Sequence, residues 1–147
     1  MIKFLPLVLI LTMVLFSCSK KESQAEIDDQ TIQNYLTTNK LTATKDPSGL
    51  YYNIIVTGTG NNPTSSSTIE VKYKGTLING TVFDQNSDFT YALASLIKGW
   101  QIGIMLMKKG GKATFYIPSA LGYGSTDTGP IPANSVLIFD IELINIK

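Results

Sequence analysis

From Leu50 onward, apolar positions mostly alternate with polar ones, the period of a half-buried strand. Only near residue 30 and around Trp100 do they fall at helical spacing. Residues 50–57 read as a first strand with Leu50, Tyr52, Ile54 and Val56 on one face. Residues 68–78 read as a second, with Ile69, Val71, Tyr73 and Leu77 sharing a side. Asn79-Gly80 predicts a two-residue hairpin turn, because both residue types tolerate positive φ. The return strand carries Thr81 to Asp84. A polar loop over 85–88 and a short strand over 89–91 follow. Residues 112–117 form a further strand ended by Pro118. The last strand, 135–146, turns Leu137, Phe139, Ile141 and Leu143 one way and Asp140 and Glu142 the other, as expected of an antiparallel strand with one wet side. Residues 58–68 and 119–134 are long loops rich in turn-forming residues.

The helical signals are short. Trp100, Ile104 and Met107 fall at i, i+4, i+7, which predicts a helix of about two turns, terminated by Gly110-Gly111. Residues 26–39 predict a second helix, with Ile27, Ile32, Tyr35 and Leu36 as its stripe and acids in its first turn. That helix either packs on the domain or stands off as a spacer. The expected fold is α+β: an antiparallel half-barrel sheet wrapped around one short helix, preceded by a helical spacer.

The first residues read differently. A lysine at position 3 precedes an apolar run, Phe4 to Phe16, too short for a comfortable membrane span but suited to a secretory leader. The run ends in Leu15-Phe16-Ser17-Cys18, which resembles a bacterial lipobox and implies cleavage before Cys18 and lipid attachment to it. Ser19 resembles the outer-membrane sorting signal that follows such a cysteine. The expected division is a leader over 1–17, lipidated Cys18 with a tether over 18–25, a helical spacer and linker over 26–47, and one domain over 48–147. The implied location is the cell envelope, lipid-anchored, on the periplasmic or the outer face of the outer membrane.

Composition narrows the chemistry. Twelve lysines, no arginine and eleven acids leave no basic excess, which argues against a nucleic-acid partner. The chain has no histidine, so Ser-His-Asp triads, Cys-His dyads and His-based metal sites are excluded. Cys18 is the sole cysteine, which rules out an intramolecular disulfide and a Cys-based zinc site. No cofactor and no metal is expected.

The residues placed to face the Trp100 helix are Tyr73, Phe83, Asp84, Phe89, Leu96, Ile97, Trp100, Tyr123, Ile131 and Phe139: an aromatic cup with one carboxylate and two phenols. Val71-Lys72-Tyr73-Lys74-Gly75, Gly80-Thr81-Val82-Phe83-Asp84, Ile97-Lys98-Gly99-Trp100, Tyr123-Gly124, Ile131-Pro132 and Phe139-Asp140-Ile141-Glu142-Leu143 occur in order. Together they resemble the FKBP family of peptidyl-prolyl cis–trans isomerases over about residues 50–147.

That resemblance implies an apolar proline pocket that rotates X-Pro bonds by desolvation and hydrogen bonding, without covalent chemistry. Trp100 would be the platform under the proline ring. Tyr73, Phe83, Phe89 and Phe139 would be its walls, Leu96 and Ile97 its rim. The Ile97 N–H and the Tyr123 phenol would donate to the substrate, Asp84 would be the polar group in the cup, and Ile131 would close the loop side. The implied partners are proline-containing polypeptides of exported proteins, with the family's macrolides as a candidate ligand class, met by a monomer anchored through Cys18. The loop from Tyr91 to Leu96 and the one from Tyr123 to Ile131 are shorter than in well-known members, and Ala133 stands where a second proline is common. The alternative reading is a non-catalytic module that holds proline-containing segments in an envelope assembly.

Overall fold

The computed structural model describes residues 21–147. The leader and Cys18 lie outside the described residues, and among those described no helix is long and apolar enough to cross a membrane. The elements are α1 (Gln24–Thr38), β1 (Thr44–Lys45), β2 (Tyr51–Val56), β3 (Thr68–Leu77), β4 (Val82–Ala92), α2 (Lys98–Ile104), β5 (Lys112–Ile117) and β6 (Leu137–Ile146). The strands form one antiparallel sheet in the order β1-β2-β5-β6-β3-β4. The most apolar strand, β6, therefore lies in the interior of the sheet, between β5 and β3.

Alternation sorts the two faces. Leu50, Ile69, Val71, Ala113, Phe115, Ile117, Leu137, Phe139, Ile141 and Leu143 are buried on the inner face around Trp100, Ile104 and Met107. The helix α2 lies very close to β5. A Cβ at Gly99 would sit 2.5 Å from Ile117 Cγ2, and one at Gly103 would sit 2.7 Å from Phe115 Cε2 and Cζ. These two glycines, four apart, make the helix face that touches the strand flat.

The outer face is dry at one end. Tyr51, Tyr116 and Ile138 stand side by side across β2, β5 and β6. They pack with Val136 against Ile32 and Leu36 of α1. Of the two placements open for the N-terminal helix, the docked one is found. Ser23 caps it with a reciprocal capping box to Glu26, so it starts at Gln24, two residues before the expected start. Tyr51 Oη donates to Asp29 Oδ1 at 2.8 Å, and Lys45 pairs with the same carboxylate. Ile27, expected in the buried stripe, is 42% exposed; buried Asp28 takes a place on the docked face instead.

Three local expectations are corrected. The hairpin loop has three residues, Ile78-Asn79-Gly80: Gly80 N–H donates to the Leu77 carbonyl, Leu77 N–H donates to the Thr81 carbonyl, and of Asn79 and Gly80 only Gly80 has positive φ, +88°. This is a type I turn closed by a left-handed glycine, which needs no positive φ at Asn79. Residues 85–88 are not a loop. They belong to one eleven-residue strand, β4, that includes the segment expected as separate. Ser87 and Asp88 oppose the single residue Lys72, and the Asn86 side chain accepts from Asp88 N–H at 2.9 Å, so a β-bulge absorbs the polar run without breaking the ladder. Finally, α2 ends at Ile104, well before Gly110, which instead joins a turn with its N–H on the Leu143 carbonyl. On β2, Val56 departs from its expected face, following a register shift after Ile54, and is 43% exposed.

Candidate functional site

The inner face opens beside α2 into an aromatic cup. Trp100, in the first turn of the helix, is 4% exposed. Tyr73 from β3 meets it edge-on at 5.0 Å between ring centroids, Phe139 from β6 at 5.2 Å and Phe89 from β4 at 6.2 Å. Phe83 packs perpendicular to Phe139 at 5.4 Å. Such edge-to-face pairs contribute about 0.5–1.5 kcal/mol each beyond their burial and hold rings at fixed angles. The indole Nε1 is buried with no hydrogen-bond partner among the described residues. Its surroundings are π faces and edges, which return only part of the usual hydrogen-bond energy.

A second bulge places two neighbours of β4 at the cup. Gly75 of β3 opposes Asp84 and Thr76 opposes Val82, which leaves Phe83 as the extra residue. Phe83 turns its ring onto Phe139 while Asp84 accepts from Tyr73 Oη at 2.6 Å. Gly75 makes this possible: a Cβ there would meet Phe83 Cζ at 2.6 Å and Phe139 Cε1 at 2.9 Å. Burial, and then the bond to Asp84, hold the Tyr73 phenol far above its ordinary pKa. Burial, and then the charge of Asp84, also raise that of Tyr123. Both phenols therefore stay protonated donors through the neutral range.

Besides the indole N–H, two donors at the cup are unspent. Ile97 is the N-cap residue of α2, and its carbonyl accepts from Trp100 and Gln101 N–H, but its own N–H has no partner among the described residues. Tyr123 is 39% exposed, and its hydroxyl makes no hydrogen bond to any described residue. Leu96 and Ile97 are half-buried against the core, and Ile131 is 5% exposed within it. The structure thus gathers Tyr73, Phe83, Asp84, Phe89, Trp100 and Phe139 in direct contact. Leu96, Ile97 and Ile131 are set in the same apolar cluster, and Tyr123 lies close enough for Asp84 to act on its charge.

Sequence reading missed several supports. Gln101 Nε2 donates to the Leu96 carbonyl at 2.6 Å and the Ala94 carbonyl at 3.2 Å, which fixes the rim segment onto the helix. Tyr91 stacks on Phe89 at 5.5 Å with planes 7° apart and extends that wall outward. A glycine inside the alternating β3 pattern was a usable signal for Gly75, since such a residue marks close approach. Nothing in the pattern marked Gln101.

A groove of about 740 Å³ lies on the opposite face of the sheet over Ile55, Lys72, Lys74, Lys112, Asp140 and Glu142. Its charges are matched across strands, with Lys112 Nζ 3.2 Å from Glu142 and Thr114 donating to Asp140 at 2.7 Å. It is an open groove bordered by charged side chains, unlike the aromatic cup. No cluster of potential metal ligands occurs among the described residues.

The fold and site together are a half-barrel sheet around a short helix with an aromatic pocket beside it. Comparison with known proteins gives the family. The profile described as FKBP-type peptidyl-prolyl cis-trans isomerase matches residues 60–144, and the chain belongs to that family. It is 50% identical over 108 residues to the FKBP-type peptidyl-prolyl cis-trans isomerase FkpA of Buchnera aphidicola, covering 70% of this chain and 43% of that one. It is 43% identical over 106 residues to the outer membrane protein MIP of Legionella longbeachae, covering 69% and 46% respectively. The crystal structure of FkpA from Escherichia coli superposes with a TM-score of 0.75 at 35% identity, covering 84% of this chain and 61% of that one. The chain thus spans less than half the length of these two curated relatives.

Proposed function

We propose that this chain is a peptidyl-prolyl cis–trans isomerase acting on proline-containing polypeptides through the cup built on Trp100. The observation that supports the reading is the pair of unspent donors, Ile97 N–H and Tyr123 Oη, beside an aromatic cup whose indole N–H is also without a partner among the described residues. Rotation about an X-Pro bond is opposed by a barrier of about 18–20 kcal/mol because amide resonance must be lost. Water solvates the planar, charge-separated amide better than the twisted one. Seating the proline ring on Trp100 among Tyr73, Phe83, Phe89 and Phe139 removes that advantage.

The Ile97 N–H and the Tyr123 phenol donate to carbonyls of the substrate, and the gain counts where the bond is stronger to the twisted amide. Asp84 holds Tyr73 in place and keeps a negative charge at the cup's edge. Leu96 and Ile97 form the rim and Ile131 backs the loop side. Together these effects need supply only about 5–7 kcal/mol for an acceleration of four to five powers of ten. No step requires a nucleophile, metal or cofactor.

The finer reading places the protein in the cell envelope as a monomer, anchored by lipid on Cys18, where exported proteins refold and slow prolyl isomerisation limits them. The domain begins near residue 48 and α1 precedes it. Macrolide ligands of the family are candidates for the same cup. The relative named as an outer membrane protein supports the location. Mass analysis of the N-terminal peptide should find diacylglycerol on Cys18, lost in Cys18→Ala.

Exchange NMR on an X-Pro peptide tests the activity. Full-length protein should accelerate exchange, and Asp84→Ala and Tyr123→Phe should slow it without unfolding the chain. Binding without acceleration would make the cup a proline-segment binding module instead.

A further inference from the structure

The N-terminal helix and the loop that carries Tyr123 meet at one carboxylate. Asp28, on α1, is 2% exposed. Its Oδ1 accepts from Gln24 Nε2 at 2.7 Å. Its Oδ2 accepts from two donors of Ser119, the backbone N–H at 2.8 Å and the hydroxyl at 2.6 Å. Ser119 is itself 2% exposed and opens the short 3-10 turn Ser119–Leu121 just before Tyr123.

The Ser119 carbonyl, in turn, accepts from Gly122 N–H at 3.0 Å and from Gly124 N–H at 2.8 Å, so the residues on either side of Tyr123 are both bonded to Ser119. Gly124 has a φ of +66°, and its carbonyl accepts from Asn134 N–H at 2.8 Å, which closes the other end. The phenol has no bond of its own to a described residue, so the position of Tyr123 is set by its backbone. That backbone hangs on Ser119, and Ser119 hangs on Asp28.

We propose that Asp28 is a positioning residue for Tyr123, and that α1 is therefore a working part of the site rather than a passive spacer. The proposal rests on the isomerase reading above for the role of the Tyr123 phenol. Helix docking alone does not call for this carboxylate. Ile32 and Leu36 already pack α1 against Tyr51, Tyr116, Val136 and Ile138. A buried carboxylate is costly unless its lone pairs are filled, and an apolar residue of similar volume often serves stability as well or better. What a carboxylate adds is direction: two donors of one residue converge on one oxygen and set where the turn sits. A displacement of about 1 Å of a substrate-positioning group is enough to cost a large factor in rate.

The test is a double-mutant cycle on the full-length chain, with kcat/KM for an X-Pro peptide from exchange NMR. Asp28→Leu keeps roughly the size but removes both accepting oxygens, so the Ser119 N–H, the Ser119 hydroxyl and Gln24 Nε2 lose their acceptor. It should lower kcat/KM on the order of tenfold in the presence of Tyr123 and less than about twofold in the Tyr123→Phe background. In the same variant, amide hydrogen exchange at Gly122 and Gly124 should quicken while amides of α1 around Leu36 stay protected.

Equal losses in both backgrounds, or no loss in either, would overturn the proposal. So would unchanged protection at Gly122 and Gly124. If Asp28→Leu does not fold, Ser119→Ala, which removes only the hydroxyl donor, is read by the same criteria with a smaller effect. If the wild-type chain accelerates no peptide yet Asp28→Leu still loosens Gly122 and Gly124, the tether stands and the isomerase reading is the one that falls.

Discussion

Replacing Gly103 with alanine sets two effects of opposite sign against each other. Within an exposed helix, glycine to alanine stabilises by about 0.8–1.0 kcal/mol, because the backbone loses less freedom on folding. Here the new Cβ would lie 2.7 Å from Cε2 and Cζ and 3.0 Å from Cδ2 of Phe115. Carbon–carbon contact is comfortable at about 3.5–4.0 Å, so the overlap is on the order of 1 Å. Phe115 is fully buried on β5 between β2 and β6 and has nowhere to turn. The helix must lift instead.

Overpacking of this kind costs about 1–3 kcal/mol. The net expectation is therefore a loss of up to about 2 kcal/mol, since the steric cost exceeds the propensity gain. Because Trp100 rides on the same seven-residue helix, lifting it also spoils the edge-on contacts with Tyr73 and Phe139, and peptide turnover should fall with stability. Urea unfolding followed by fluorescence of the single tryptophan reports both the midpoint and the environment of the cup. A Gly103→Ala protein as stable as wild type or more so, with unchanged Trp100 emission, would refute the claim that this glycine exists for helix–strand approach.

The titrating groups give two more expectations. Tyr73 and Tyr123 have folded-state pKa values raised by burial and by Asp84, so the stability they contribute is whole below about pH 10, the unfolded value. It is lost as pH rises beyond that, because only the unfolded chain releases its protons there. Urea midpoints should fall on the alkaline side, and Tyr73→Phe should flatten that fall. Asp29 runs the other way. The hydrogen bond from Lys45, helped by Tyr51, holds its pKa below the ordinary carboxylate value of about 3.9, so its contribution is whole above that value and disappears as pH drops through the folded one. Amide-exchange protection in α1 should fall below about pH 3.9 before the sheet opens, and Asp29→Asn should abolish that early step.

Short-range pattern was enough to read the sheet face by face. The alternation in residues 68–78 and 135–146 named the inward residues of β3 and β6 correctly, because a period of two is a local property of extended backbone. The cup was legible for the same reason: Tyr73, Phe83, Phe89 and Phe139 sit in strand segments beside a helix that begins at an indole, and the family motifs confirmed their order. Other features depended on what each segment meets. The polar run 85–88 reads as a loop until β3 is beside it, for only the partner strand turns extra residues into bulges. Asn79-Gly80 reads as a two-residue turn, and only the pairing of Leu77 with Thr81 makes the loop three residues long. The helix α2 stops at Ile104 in local turns, Leu106 N–H on the Gly103 carbonyl and Met107 N–H on the Ile104 carbonyl, and Gly110 further on bonds to β6 instead.

Asp28 is the clearest case. In the sequence it is one acid among several at the start of a helix, where the dipole alone explains it. Only the docked helix turns it inward and brings Ser119, ninety-one positions away, within hydrogen-bond reach. The chain by itself determined which residues are apolar, at what period, and which chemistry no histidine and one cysteine permit. The tertiary structure decided which of those residues touch, since contact between distant segments is set by packing that no local pattern encodes.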